Sequence, residues 1–317
     1  MGTHKILLVA TLALMSSSIC SAAGEPKRMD DSILRRTFDL AAKRTPQPQA
    51  FEMESRMITY ALDGKRISTD IFRLHLKCVP ARATGQSADE YTCTKFTVQL
   101  AGAPEVELPA MKDWTYLFTP ANEKGPTFGI DHAHFEKLTD AKGQPVPVDK
   151  AYHVYNAFID FHAFGNVFAE PAAGGKGIQD LKTIGQKIVH AAAFTEPPVN
   201  LGTSVKEGST FKNGEVTLAF KGLSLVDDAA CALVAYDSGE SSFQMIFTPM
   251  PNMDVRTVGS SHYKGDIHVD LATRWVRRAT MNEWVVTETT VPTLPNKMNA
   301  VVERNLVIRN VTSKTGA

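Results

Sequence analysis

An excess of charge of either sign is missing from this sequence. Lysine and arginine total 34, aspartate and glutamate also total 34, and the formal net charge is zero. A balanced chain has no global attraction for nucleic acid or for an anionic membrane surface. Long apolar runs are missing as well. No stretch approaches the ~18 residues that a transmembrane helix needs, so no transmembrane segment is expected. Cysteine is scarce, with four in 317 residues, which excludes a disulfide-dense scaffold. The familiar catalytic signatures are absent: there is no G-x-S-x-G, no HExxH and no paired CxxC. With 43% hydrophobic and 21% charged residues, the composition is that of a globular protein, not a disordered one.

What is present begins with a leader. Lys5 is followed by the apolar run Ile6–Met15 and the small residues Ser16–Ala23. This is the pattern of a secretory signal peptide over residues 1–23, cleaved after Ala22 or Ala23. Ile19 stands before Cys20 where a lipoprotein signal has a small residue. The expectation is an exported, soluble protein, periplasmic or extracellular, with one β-rich domain over residues 24–317. Thiols in that setting tend to oxidise. Cys78 ends one strand-like run and Cys93 begins the next, so a Cys78–Cys93 disulfide is expected, with Cys231 buried and free.

Period-two alternation predicts strands over residues 51–136 and again over 213–312. The turn signals between them are Asp63-Gly64, Asn213-Gly214, Asp227-Asp228, Asp237-Ser238-Gly239, Pro249-Met250-Pro251 and Lys264-Gly265. Two central helices are predicted over residues 149–193. One is Asp149–Phe168. The other is Ile178–Ala193, with Ile178, Leu181, Ile184 and Ile188 on one face. A short N-terminal helix is predicted from Asp30 to Arg44, stopped by Pro46 and Pro48. The fold class is α+β, mainly antiparallel β: a large curved meander sheet, able to curl into a half-barrel, covered by the two helices. As architecture alone, this resembles bacterial envelope carriers of the LolA and LppX type, which hold lipid.

Three groups of residues carry candidate chemistry. Tyr152, Tyr155, Phe158, Phe161, Phe164 and Phe168 concentrate aromatic area on one helix. Tyr155, Phe158 and His162 are candidate ligand-binding residues, offering apolar area beside polar handles. His132 and His134, one residue apart on an expected strand, face one way, and with His162 they are candidate zinc ligands. Asp237-Ser238-Gly239 resembles the D-[ST]-G signature of aspartic proteases, but a second copy is missing and Glu240 replaces a small residue. Its residues are turn formers, so a hairpin turn between residues 229–236 and 242–248 is expected. Ser261-His262-Tyr263-Lys264 and Lys314-Thr315-Gly316 match penicillin-binding fragments outside their required context. Asn310-Val311-Thr312 spells a glycosylation acceptor. The functional expectation is non-enzymatic binding of an apolar small molecule, a lipid or an envelope component. The alternative is a metal-dependent or aspartic-type hydrolase using the central histidines or Asp237.

Overall fold

Strand, turn and helix follow one another as β1 (Gln49–Tyr60), β2 (Arg66–Val79), the single turn α1 (Ala81–Thr84), β3 (Glu90–Gln99), β4 (Val106–Glu107), β5 (Trp114–Leu117), the long helix α2 (Val148–His162), β6 (Lys187–His190), β7 (Thr195–Glu196), β8 (Thr210–Lys212), β9 (Val216–Val226), β10 (Ala229–Ser238), β11 (Ser241–Met250), β12 (Met253–Asp270), β13 (Val276–Thr290) and β14 (Met298–Asn310). The structure is a computed structural model and describes residues 32, 35–85, 87–119, 126–168, 176–190, 195–196, 205–250 and 252–312. The chain divides into two units, residues 1–36 and 37–317. In the first, the Arg35 N–H donates to the Ser32 carbonyl at 3.2 Å. Residues 1–23, where a signal peptide is expected, and Lys314-Thr315-Gly316 lie outside the described residues.

The second unit is built on one open antiparallel sheet of order β4-β3-β2-β1-β14-β13-β12-β10-β9-β6. Local chemistry closes its hairpins. Asp63 Oδ1 accepts the Lys65 N–H at 2.9 Å, and Gly64 takes the left-handed φ of 83° between β1 and β2. Asp227 and Asp228 both have positive φ, 47° and 61°, which is the primed turn that suits the right-handed twist of β9 and β10. Asp270 Oδ1 accepts the N–H groups of Ala272 and Thr273 and shapes the turn into β13.

Three expected turns are not turns. Asp237-Ser238-Gly239 lies where the chain runs straight on from β10 into β11. Asp237 pairs with Lys264 and Ser241 with Ser261, so β10 and β11 line the same edge of the 18-residue β12. One residue more on this side than on β12 makes the junction a bulge. Asn213-Gly214 likewise joins β8 to β9 along the continuous β10–β11 path, because Lys212 pairs with Ser242 and Val216 with Ser238. The two bends touch: a Cβ on Gly214 would stand 2.5 Å from the Gly239 carbonyl. Lys264-Gly265 sits inside β12. Gly265 lies directly across from Tyr236, and its missing Cβ would meet the Thr280 oxygen at 1.9 Å and Tyr236 Oη at 2.7 Å.

Among the described residues, two expected helices are absent. Ile178–Asp180 is a single 3₁₀ turn, and Lys187–His190 is strand β6, paired with β9. Gln186 Oε1 accepts from the Lys182 N–H at 2.7 Å, its amide donates to the Asp180 carbonyl, and Gly185 takes φ 90°. That closed loop ends the helical path. Ile178 and Leu181 are still buried, and Ile184 and Ile188 pack against the core from a turn and a strand. The described residues 35–44 form no α-helix either. Their backbone is committed elsewhere: Phe38 N–H donates to the Lys182 carbonyl and the Asp39 carbonyl accepts from Arg274.

The core lies on one face of the sheet. A rung of directly paired residues crosses seven strands: Phe96, Leu74, Met53, Ile308, Ala279, Ile267 and Val234. All seven are buried. The next rung holds Phe72, Leu306, Met281 and Tyr236. Helix α2 begins after Pro147, which cannot continue a helix backwards, and packs on these rungs. Phe158 stacks on Phe96, Phe161 meets Phe51 edge-on, and Phe164 stacks on Tyr236. No helix among the described residues is long and apolar enough to cross a membrane.

Candidate functional site

The aromatic helix is a packed core element. Phe158 and His162 are fully buried and Tyr155 is nearly so. Phe158 is enclosed by Phe96, Trp114, Tyr116 and Phe135 at centroid distances of 5.3–6.0 Å. At its end α2 widens into a π-turn over Ala163–Val167, which brings Asn166 back to His162. His162 Nδ1 stands 2.9 Å from Asn166 Oδ1, and Nε2 stands 2.7 Å from the Tyr116 hydroxyl. The network assigns the proton to Nδ1, leaving Nε2 to accept from Tyr116. Asn166 Nδ2 donates to Tyr91 Oη at 3.1 Å. Burial of the ring lowers the His162 pKa to about 3, so it is neutral. Both ring nitrogens are used inside the core.

Neither of two clefts found on the protein is lined by Tyr155, Phe158 or His162. The larger holds about 250 Å³ and is lined by Lys43, Arg44, Arg82, Asp89 and Trp275, among others. The smaller, about 30 Å³, lies by Leu40 and Ile178.

The metal candidates are not gathered. His132–Phe135 is a 3₁₀ turn, not a strand, capped by Asp131, whose Oδ1 accepts the Ala133 N–H at 3.0 Å. Residues two apart on such a turn point to different sides. His132 is exposed, whereas His134 stacks on Trp114 at 4.6 Å and reaches the Ala110 carbonyl. Among the described residues, no group of three or more His, Cys, Asp or Glu is placed to hold a metal ion. Asp237 is exposed and pairs with His262 Nε2 at 2.7 Å on the outer side of the β10–β12 ladder.

The Cys78–Cys93 bridge is absent, and both thiols are free and buried. Cys78 pairs with Tyr91 and Cys93 with Leu76, so the two cysteines are diagonal neighbours. Diagonal positions stand about 7–8 Å apart, whereas bridged Cβ atoms need about 3.5–4.5 Å. Burial pushes both thiols up to about 12. Cys231 is buried and free, as its apolar strand implies. Asn310 is buried too, and its amide donates to Gln49 Oε1 at 2.8 Å, so the acceptor motif faces inward.

The sheet's third rung was not read as a site from the sequence. It runs Asp70, Met57, Arg304, Glu283 and Tyr263, on the same face as the core. Arg304 Nη1 donates to Asp160 of α2 at 2.6 Å and its Nε donates to Glu283 at 2.7 Å. Lys150, at the start of the helix, binds Asp70 at 2.7 Å. Burial raises Asp160 to about 6 despite its contact with Arg304. Burial also opposes the Arg304 charge, but Asp160 and Glu283 overcome this and hold the guanidinium above its usual range. The available signal was Arg304 itself, at an inward position of β14 whose inward neighbours Val302, Leu306 and Ile308 are apolar.

Beyond this charged rung the same face continues with Thr59, Val302, Val285 and Ser261, then Ala300, Thr287, Gly259 and Phe243. Val285, Val302, Ala300 and Phe243 are half-buried and lie outside the core cluster, which ends at Met57 and Tyr263. The geometry is thus a sealed core, a charged divide, and a shallow face of small and apolar side chains. No protein-family model matches the sequence, and no curated protein matches it.

Proposed function

We propose that the protein is an exported, non-enzymatic binding protein that takes a lipid or a similar apolar molecule on the sheet face beyond Arg304. In this reading the sheet curls as a half-barrel, α2 fills one end of its inner face, and the ligand occupies the other. The observation that carries it is the continuation of the core face, through Val302, Val285, Ala300 and Phe243, past the point where the core cluster stops. Apolar surface arranged in this way gains free energy at about 25 cal/mol per Å² covered. Ala300 is small, and the Phe243 ring lies over Gly259 and closes the far end of the face, which suits an extended chain better than a bulky ring. The ligand position moves from Tyr155, Phe158 and His162, which pack the core, to this outer half of the same face.

Native mass spectrometry of the purified chain tests the reading. A lipid-sized adduct is expected. It is expected to weaken in a V285T/V302T variant whose melting temperature stays close to the parent's, because threonine suits a strand and both side chains lie outside the core cluster. A parent protein that carries no adduct and takes up no added fatty acid would reject it.

A further inference from the structure

The 250 Å³ cleft lies at the other end of β2, where Val79 passes through Pro80 into α1. It sits far along the strand from the apolar face and is independent of it. Its walls come from four places in the chain: Lys43 and Arg44 before β1, Arg82 on α1, Asp89 before β3, and Trp275 before β13. Three cations and one carboxylate, Asp89, line it. In a chain whose net charge is zero, this local excess of positive charge in a concave site focuses the field on an anion.

One of the cations is held in place. The Arg44 guanidinium lies 4.3 Å from the centre of the Trp275 ring, and its Nη2 donates to Asp89 Oδ2 at 3.1 Å. Trp275 is itself fixed, donating its indole N–H to the Thr45 carbonyl at 3.0 Å. Asp89 Oδ1 accepts the Ala81 N–H at 2.8 Å and so ties α1 to the same wall. A guanidinium stacked on an indole and braced by a carboxylate loses little freedom when it binds. Lys43 and Arg82 are exposed, and among the described residues neither has an ion pair. The cleft falls below the ~300 Å³ at which small-molecule pockets begin, which suits a compact charged group.

We propose that this cleft binds a phosphate group, as inorganic phosphate or a phosphate monoester, between Arg44, Arg82 and Lys43. A dianion matches the surplus of two positive charges left after Asp89 is counted. Arginine donors fit tetrahedral oxyanions in a fixed geometry, and Lys43 adds a mobile point charge.

The test is calorimetric titration of the full chain with inorganic phosphate and, separately, with glycerol 3-phosphate. A flotation arm uses phosphatidylcholine vesicles with and without phosphatidic acid. Saturable binding in the first two arms is expected, falling at least about tenfold in a K43Q/R82Q variant, since charged hydrogen bonds to an anion dominate such sites. Both residues are exposed, so the variant should melt with the parent. Flotation with phosphatidic acid, lost in the same variant, would place the phosphate on a membrane. Soluble binding without flotation would place it on a free molecule. Absence of binding in every arm, or binding undiminished in the double variant, would overturn the proposal.

Discussion

Asp160 and Arg304 meet at 2.6 Å, joining the last turn of α2 to the middle of β14 across 144 positions of sequence. The carboxyl is nonetheless raised to about 6 by burial, and two residues along, His162 is lowered to about 3 by the same cause. The two act on stability with opposite signs. Asp160 keeps a proton in the fold that the unfolded chain has released above pH ~4, so it favours the fold as pH falls from ~6 to ~4. His162 stays neutral in the fold while the unfolded chain takes up a proton below pH ~6.5, so its stability is lost as pH falls from ~6.5 to ~3. Over pH ~4–6 the two offset each other. An Asp160→Asn variant should uncover the histidine and lose about 1.4 kcal/mol per pH unit in that window relative to the parent. Urea unfolding at several pH values reads the slope; equal slopes in parent and variant would contradict the assignment.

Gly265 is expected to be intolerant. In Gly265→Ala the new methyl meets the Thr280 carbonyl, which is backbone, and the Tyr236 hydroxyl that donates to it at 2.7 Å. A loss of several kcal/mol is expected from overpacking. Tyr236→Phe removes just the hydrogen bond and should cost about 1 kcal/mol. Thermal melts of the two variants should rank in that order.

Phe158→Ala separates the core from the proposed lipid face. Phe158 is fully buried among four aromatic rings. Truncation should cost about 3–5 kcal/mol. Lipid binding per folded molecule should be unchanged, measured by the same mass spectrometry. A stable variant with lost binding would return the ligand to the helix.

The cysteines should be inert. Cys78, Cys93 and Cys231 are buried, with thiols pushed up to about 12, about 12 and about 11. Since the thiolate is the reactive form, alkylation in native buffer should leave all three unmodified, and denaturant should expose them. A 78–93 bridged peptide in a non-reducing digest would contradict the register of β2 and β3.

The sheet was legible because alternation reports one buried face, and Asp63-Gly64 and Asp227-Asp228 carry their turn geometry in their own residues. Asp237-Ser238-Gly239 and Lys264-Gly265 misled for a physical reason. Their glycines answer to neighbours across the sheet, Gly214 and Tyr236, and not to a reversal of the chain. Ile178–Ala193 misled because Ile178, Leu181, Ile184 and Ile188 do reach the core, but from turns and a strand, with side-chain hydrogen bonds of Gln186 that no periodicity contains. The Arg304 cluster joins residues from α2, β13 and β14, and no local window holds them together. His162 packs among the aromatics, yet its partner Tyr116 lies 46 positions away, and Tyr91, the partner of its neighbour Asn166, lies 75 positions from that asparagine.

The pairing of β1 with β14, Phe51 opposite Asn310, puts the first and the last strands of the described residues side by side in the middle of the sheet. The hydrogen bond from Asn310 to Gln49 closes a span of 261 positions. At a synthesis rate of about 5–20 residues per second, β1 waits tens of seconds for its partner. Until β14 arrives, β1 and β13 each present a bare edge of apolar alternation, ready to pair with a strand of another chain. The nascent protein therefore depends on being kept apart from its copies until its final strand is released, and a chain cut short before Met298 would retain both open edges.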